Sequence, residues 1–522
     1  MTARPAASAG RLAGNVAANV GGYVLTAAVA FLVWPLELHR LGDQAFGLWA
    51  LLGQLIGYAG LLDFGVRIAV VRNMARAQAR GEDEASARLL STAVTMMLAP
   101  AVVIAGAGLW LGFWLPAHLG VSVALAGPAR VTIWLAAATV ALAAPGALFN
   151  GCVAAISRYD LLNLRNAAVQ IARGLLLWYF LVHGYGLVAV AAIFLATETL
   201  GQGLDVCFSM RQCSGLRLSW RGFDIRLVRE LLDFGFFAFL ISIAVRLVYW
   251  SDNVVVGLMA GATAVAFYAV AGSLAQYLRD GIANLTKVFA PLTAQLDGLG
   301  QQEHLRTAYR YGSKAGVMLI LPGVLFLVLD GHEFLRLWMG AAMAARASMP
   351  LALLALSALT MPLAAMYSNV LYATARHRVN GWVAMTEAVA NVGLSVALIG
   401  PMGISGVALG TLAPAVVVQL GVMPMYTCRV LGISLRRYLH RALGRPLLAA
   451  APVAVLAAAA ARSGWIVGWE RLILSGALLG AAYAVSAALV ACNREERHQV
   501  MGILRRQFAG RHRNPAAYKE AA

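Results

Sequence analysis

Long apolar runs of about twenty residues recur from one end of this chain to the other, and a run of that length is what one helix needs to cross the roughly 30 Å hydrocarbon core of a bilayer. Fourteen such runs can be read, from Leu12–Leu36 at the start to Leu472–Ala491 at the end. They are continuous rather than alternating, which argues against barrel strands, whose lipid-facing residues alternate with lumen-facing ones. The expected fold is an all-α polytopic membrane protein. Composition agrees, because 41 Lys+Arg and 23 Asp+Glu make only 12% of the 522 residues charged, about half the roughly 25% of soluble domains. A net charge of +18 would suggest a nucleic-acid partner in a soluble chain. In a membrane protein basic loops on one face produce the same number, so no nucleic acid is expected.

Those loops also predict the orientation. With the N-terminus placed inside, thirty basic residues fall on the inner side, counting Arg165 and Lys314 at helix edges, and six (Arg40, Arg130, Arg336, Arg346, Arg462 and Arg471) fall on the other. The bias recurs loop by loop, so both termini are expected to be cytoplasmic and the helix count even. Nine tryptophans, among them Trp34, Trp49, Trp110 and Trp469, fall near the opposite ends of helices, as an interfacial belt would. The five cysteines all fall at or beyond cytoplasmic ends, so no disulfide framework is implied. The N-terminal stretch holds Arg4, Arg11, Asn15 and Asn19, too polar for a signal-peptide core, and is expected to be retained.

The chain reads as two halves. A shift of 219 pairs Ala50, Gly53, Leu55 and Tyr58 with Ala269, Gly272, Leu274 and Tyr277. A shift of 217 pairs Gly186, Val190, Ala191, Leu195 and Ala196 with Gly403, Val407, Ala408, Leu412 and Ala413. Six helices per half is an even number, so the halves should share one orientation. The expected organisation is an N-lobe over residues 1–218 (helices one to six) and a C-lobe over 219–428 (helices seven to twelve), followed by helices thirteen and fourteen over 429–492 and a basic cytoplasmic tail over 493–522.

Several short motifs then carry a resemblance. They are Leu41-Gly42 with Phe46-Gly47-Leu48-Trp49, Leu62-Asp63-Phe64-Gly65, Ser251-Asp252-Asn253 with Gly257, Phe267-Tyr268-Ala269, and Asn391 followed by Gly403-Ile404-Ser405-Gly406-Val407-Ala408. In this order, on this helix plan, the chain resembles the polysaccharide-transport and O-antigen flippases of the multidrug/oligosaccharidyl-lipid/polysaccharide exporter superfamily. The resemblance spans roughly residues 10–492. It implies two six-helix lobes around a central cavity lined by the first two helices of each. It also implies a cargo of polyprenyl-diphosphate-linked oligosaccharide, carried from the cytoplasmic to the outer leaflet of a bacterial inner membrane for cell-surface polysaccharide (lipopolysaccharide O-antigen or exopolysaccharide) biosynthesis. A polysaccharide polymerase and glycosyltransferases would be the neighbouring partners.

Embedded charge supplies the candidate site. Arg67, Arg173, Arg246, Arg279 and Lys287 fall inside expected spans, and five cations facing lipid would cost on the order of 12–18 kcal/mol. They must face protein, water or a helix end. Arg67 and Lys287 are close enough to a cytoplasmic end to snorkel. Arg246, Arg279 and Arg173 lie deeper and are the candidate ligands of the diphosphate. The embedded acids Asp252, Asp280, Glu198 and Glu387 are candidates for ion coupling or for charge pairing. Asp63 and Arg67, four apart on one helix face, are expected to pair with each other.

Rival readings make distinct demands. A membrane glycosyltransferase or polymerase would want large outer loops, whereas the longest here is about twenty residues near Asp330–Met349. No metal-binding Cys/His spacing, phosphate-cradling loop or nucleophile elbow is present in the loops, so neither an enzyme nor a metal or other cofactor is expected. A multidrug cation antiporter of the same superfamily should favour acids in its cavity. A lipid-linked peptidoglycan precursor flippase would share the architecture.

Overall fold

Polar turns punctuate the apolar sequence, and helices fill nearly everything between them. The computed structural model describes residues 26–59, 66–156, 158–213, 216–219, 222–286, 289–464 and 467–492. In chain order the helices are α1 (26–41), α2 (Asp43–Ala59), α3 (Val66–Arg80), α4 (Asp83–His118), α5 (Val123–Ala155), α6 (Tyr159–Val182), α7 (Leu187–Gln212), α8 (Ile225–Ala260), α9 (Ala262–Thr286) and α10 (Phe289–Gly298). They continue as α11 (Gln302–Leu329), α12 (Gly331–Met339), α13 (Ala341–Ala358), α14 (Met361–Ala373), α15 (His377–Met402), α16 (Ile404–Ala415), α17 (Met423–Leu431), α18 (Leu435–Leu439), α19 (Arg445–Arg462) and α20 (Trp469–Ser486). No strand occurs among the described residues. The chain is an all-α, multi-pass membrane protein.

Nine helical stretches among the described residues are long and apolar enough to cross a bilayer, and they fall on the third, fourth, sixth and ninth to fourteenth of the fourteen expected runs. The other five runs fall on α1, on α2 with α3, and on α6, α8 and α9. Of these, α1 and the α2–α3 pair border undescribed residues, while α6, α8 and α9 carry embedded charge at Arg173, Arg246 and Arg279. Helices also outrun their apolar cores. The run beginning at Leu89 belongs to a helix that starts at Asp83, with Asp83 and Glu84 in its first turn, where acidic side chains complement the positive end of the helix dipole. The run Pro350–Ala373 divides into α13 and α14 at Leu359-Thr360, just before Pro362, whose missing N–H suits the first turn of a new helix. The expected N-terminal segment with Arg4 and Arg11, Asp63, Lys287 and the basic tail lie outside the described residues.

By contacts the chain divides into two compact units, one of Met1–Ser273 with Gly381–Ala413, the other of Leu274–Asn380 with Pro414–Ala522. In the first unit, α4 packs along α5, and α5 along α7. The α4–α5 crossing is close because of a small-xxx-small pair: a Cβ at Gly108 would run into that of Ala137, and one at Gly112 into the Trp134 indole. The turns alternate between two ends. At one, Gln44 donates to the Gly120 carbonyl (3.0 Å) and accepts from the Ser122 amide (3.2 Å), and the Ala262 amide donates to the Leu119 carbonyl (3.4 Å). At the other, Arg158 donates to Gln212 (2.8 Å) and Thr92 to the Gly222 carbonyl (3.3 Å).

Two glycines of the first end matter most. Gly42 closes α1 at φ 79° and Gly261 closes α8 at φ 85°, each before a new helix and 219 positions apart, a left-handed conformation open to glycine without a Cβ penalty. Gly47, one turn into α2, has no room for a Cβ, which would overlap the Ala262 carbonyl oxygen. Gly42 and Gly47, the glycines of the Leu41-Gly42 and Phe46-Gly47 motifs, are thus required by a turn and by a close backbone approach.

The second unit has its own ties. Tyr309 and Tyr438 stack at 4.6 Å, with Tyr438 donating to Ser313 (2.8 Å). Ser475 donates to buried Asp330 (2.8 Å), fastening α20 to the end of α11.

Candidate functional site: a charged ladder and cavity in the first unit

Charge enters the first unit along α6 and α7, which run antiparallel through a short turn. Arg165 and Arg173 stand eight residues apart on α6, and Glu198 and Asp205 seven apart on α7, so each pair lies about two turns apart on one face. The helices interleave them. Arg173 donates to one Glu198 oxygen (3.0 Å), Arg165 reaches the other (3.1 Å), and Arg165 Nε lies 3.3 Å from Asp205. Asn150 on α5 donates to Asp205 (3.4 Å), and Arg67 donates to Asn150 (2.7 Å). Positive and negative groups therefore alternate from Arg173 down to Arg67. The guanidinium of Arg165 fits because α7 carries Gly201 between the two acids, and a Cβ there would stand 2.5 Å from Arg165 Nη2.

The upper end of the ladder opens into a cavity of about 600 Å3. Its wall is built by Trp34 and Glu37 of α1, Phe46, Trp49, Gly53 and Gln54 of α2, Thr139 of α5, Arg173 of α6, Phe194 and Glu198 of α7, and Ala269 and Ser273 of α9. Arg173 stands about 21 Å along α6 from Tyr159, near mid-membrane depth at 1.5 Å per residue. Its guanidinium lies over the Phe194 ring at 4.1 Å and donates through Nε to Thr197 (3.1 Å). Trp49 packs edge-on against Phe194 at 4.6 Å and Trp34 against Phe46 at 6.0 Å. The Thr197 and Glu198 bonds engage two of the five guanidinium N–H donors, so the same side chain can still receive an anionic ligand.

The other candidates are not among the residues of this wall. Arg246 is half-buried on α8. Arg279, in the second unit, is buried, donating to Gln276 (3.1 Å) and Ser357 (3.3 Å), while Gln276 donates in turn to Asp280 (2.8 Å). Asp252 is buried in the first unit, where Tyr268 and Thr411 both donate to its Oδ2, at 2.6 and 2.7 Å. Glu387 is buried on α15. Asp63 is outside the described residues, and its expected partner Arg67 belongs to the ladder through Asn150.

The sequence does not mark three charged members: Arg165 reads as one of the basic residues of a helix end, Asp205 lies near the end of its span, and Glu37 lies one residue beyond the apolar run that ends at Leu36. The signal was present in the matched spacings, seven on α7 and eight on α6, with opposite signs on consecutive helices.

Residues 12–297, more than half of the chain, match the family described as polysaccharide biosynthesis protein. The chain belongs to that family. Over 504 residues it is also 25% identical to the protein of Bacillus subtilis (strain 168) named "Uncharacterized membrane protein EpsK", covering 94% of this chain and 98% of the relative. Among solved structures it is similar to an inward-facing multidrug resistance MATE family transporter of the MOP superfamily, with TM-score 0.70 at 17% identity, covering 80% of this chain and 96% of that one. It is also similar to the lipid II flippase MurJ in an inward closed conformation, with TM-score 0.64 at 14% identity, covering 89% and 98%. This member of the polysaccharide biosynthesis family thus shares its fold with a multidrug transporter and a lipid II flippase.

Proposed function

We propose that the chain is a flippase that carries polyprenyl-diphosphate-linked oligosaccharide from the cytoplasmic to the outer leaflet of a bacterial inner membrane. A diphosphate bearing several sugars has no favourable path through some 30 Å of hydrocarbon. A cavity whose wall carries Arg173, Gln54 and Ser273 among apolar side chains supplies one, while the polyprenyl tail stays in lipid. The observation that carries the reading is Arg173, a cation near mid-depth in the wall of a cavity in a chain of the polysaccharide biosynthesis family. In this reading the diphosphate replaces Glu198 on Arg173, and Glu198 keeps its second partner, Arg165. The aromatic faces of Trp34 and Trp49 and the amide of Gln54 suit sugar rings and hydroxyls. Alternating access then exposes the cargo to each leaflet in turn. Arg246 and Arg279 remain proposed diphosphate contacts at other stages of the cycle, and Asp252 is the carboxylate assigned to ion coupling.

The acids Glu37 and Glu198 in the same wall favour a second reading, a multidrug cation antiporter. A lipid-linked peptidoglycan precursor is the alternative within the flippase reading. One competition series separates the flippase from the antiporter. In reconstituted vesicles, translocation of a labelled polyprenyl-diphosphate glycan should be inhibited by other polyprenyl-diphosphate glycans and not by a hydrophobic cationic dye. Arg173→Ala should lose most of this translocation and Arg173→Lys should restore part of it, because a bidentate fork suits phosphate better than a point charge. Strong competition by the dye, with none from diphosphate lipids, replaces the flippase reading by the antiporter.

A further inference from the structure

A second, larger cavity of about 780 Å3 lies in the first unit and shares no lining residue with the first. It runs between α6 and α7 from the end that carries the α1–α2 turn. Its walls are apolar, formed by residues such as Pro128, Leu176, Phe180, Ile193 and Ala196, and its polar side chains are Arg40 and Tyr185. Both are exposed, and Arg40 forms no ion pair with another described residue. From Leu187 at the start of α7 to Ala196 the groove descends nine residues, about 14 Å at 1.5 Å per residue. Half the hydrocarbon thickness is about 15 Å. The groove is therefore one leaflet deep, apolar along its length, with a cation and a phenol at the level of the headgroups.

We propose that this groove binds an anionic phospholipid of the leaflet on that side, its phosphate at Arg40 and Tyr185 and one acyl chain between α6 and α7. Charge complementarity selects the headgroup, since the one charged side chain of the lining is positive, and the depth selects a chain of ordinary phospholipid length over a much longer polyprenyl tail. Each methylene seated in the groove replaces lipid contacts by protein contacts, so affinity comes chiefly from the headgroup. The site stands whether or not the chain carries a lipid-linked glycan.

The test uses the full chain in nanodiscs that contain a photoactivatable phosphatidylglycerol, diluted either into phosphatidylcholine or into phosphatidylglycerol. Crosslinks should map to the segment 185–196, the turn before α7 and its first turns, and excess phosphatidylglycerol should suppress them while phosphatidylcholine does not. Arg40→Ala should lower the crosslink yield about fivefold, the factor that one basic residue contributes towards an anionic headgroup, and Arg40→Lys should keep most of it. Ile193→Trp, which fills the groove and leaves the cation in place, should abolish it. Equal yields for Arg40→Ala and wild type, or equal suppression by the zwitterionic lipid, would overturn the proposal. So would stronger suppression by polyprenyl phosphate than by phosphatidylglycerol, which would assign the groove to a different lipid.

Discussion

Gly201 and Arg165 compete for one space: the guanidinium lies where the glycine has no side chain, and a Cβ on residue 201 would stand 2.5 Å from Arg165 Nη2. A long side chain can ordinarily yield to a methyl group, but this one is held between Glu198 and Asp205. Gly201→Ala should therefore cost about 1–3 kcal/mol, the usual range for overpacking. Gly203→Ala, two residues along the same helix and open around its Cβ position, should be neutral or slightly stabilising. Thermal unfolding of the two variants in detergent checks the contrast, and equal melting temperatures would mean that the ladder is loose.

Arg165 and Arg173 should differ in what they hold. Arg165→Ala leaves buried Asp205 and one oxygen of Glu198 without their cation, and removing one partner of a buried pair costs about 3–5 kcal/mol. Arg173→Ala leaves Glu198 with Arg165 and should cost less, while removing translocation activity. A stability loss at Arg173 as large as that at Arg165 would make Arg173 a structural tie rather than a ligand group.

This division shows how far the sequence could be read. Apolar run length suffices to mark the nine stretches long and apolar enough to cross a bilayer among the described residues, because lipid offers unpaired backbone groups no alternative partner. Depth along a span suffices to mark Arg173, since a mid-depth arginine cannot reach water by extending its stem. The same reasoning hid Arg165, for a cation near a helix end satisfies the positive-inside rule without any tertiary partner. Glu37 was hidden similarly, by standing just past the end of an apolar run. Whether two embedded charges meet depends on which helices adjoin, and periodicity within a helix carries no such information. Gly201 is informative only after its neighbour across the helix pair is known.

Backbone contact makes a separate prediction at α2. Gly47→Ala would drive a methyl group into the Ala262 carbonyl, where backbone rather than a mobile side chain must move, so the variant should be poorly folded and poorly inserted. Gly53→Ala, one of the residues lining the Arg173 cavity with nothing near its Cβ position, should insert normally. Expression followed by size-exclusion profiles in detergent measures this. Normal folding of Gly47→Ala would show that the α2–α9 approach can open.

Orientation can be tested at sites chosen by exposure. Ser86, at the start of α4, is buried, so a cysteine there would be silent on either side of the membrane. Val123 is 94% exposed at the start of α5, and Glu82 is exposed just before α4. In whole cells, Val123→Cys should react with an impermeant thiol reagent and Glu82→Cys should react only after permeabilisation. The reverse pattern would invert the positive-inside assignment and, with it, the proposed direction of transport.

The last prediction concerns Asp252, whose Oδ2 accepts from both Tyr268 and Thr411. Two roles fit such a carboxylate. As a structural acceptor it ties α8 to α9 and α16, and a neutral carbonyl would serve. As a coupling group its charge must be available to an ion or a proton, and a neutral carbonyl would not serve. Asp252→Asn keeps an oxygen in place and removes the charge, so its stability should stay within about 1 kcal/mol of wild type, whereas Asp252→Ala should lose about 1–3 kcal/mol by leaving buried hydroxyls without that acceptor. Transport then separates the roles. In vesicles with an imposed proton or sodium gradient, wild type should accelerate glycan-lipid translocation, and Asp252→Asn should translocate at the gradient-free rate under every gradient. If Asp252→Asn responds to gradients as wild type does, the carboxylate is a helix tie alone. The comparison holds because the two substitutions remove different things: asparagine the charge, alanine the charge and the acceptor together.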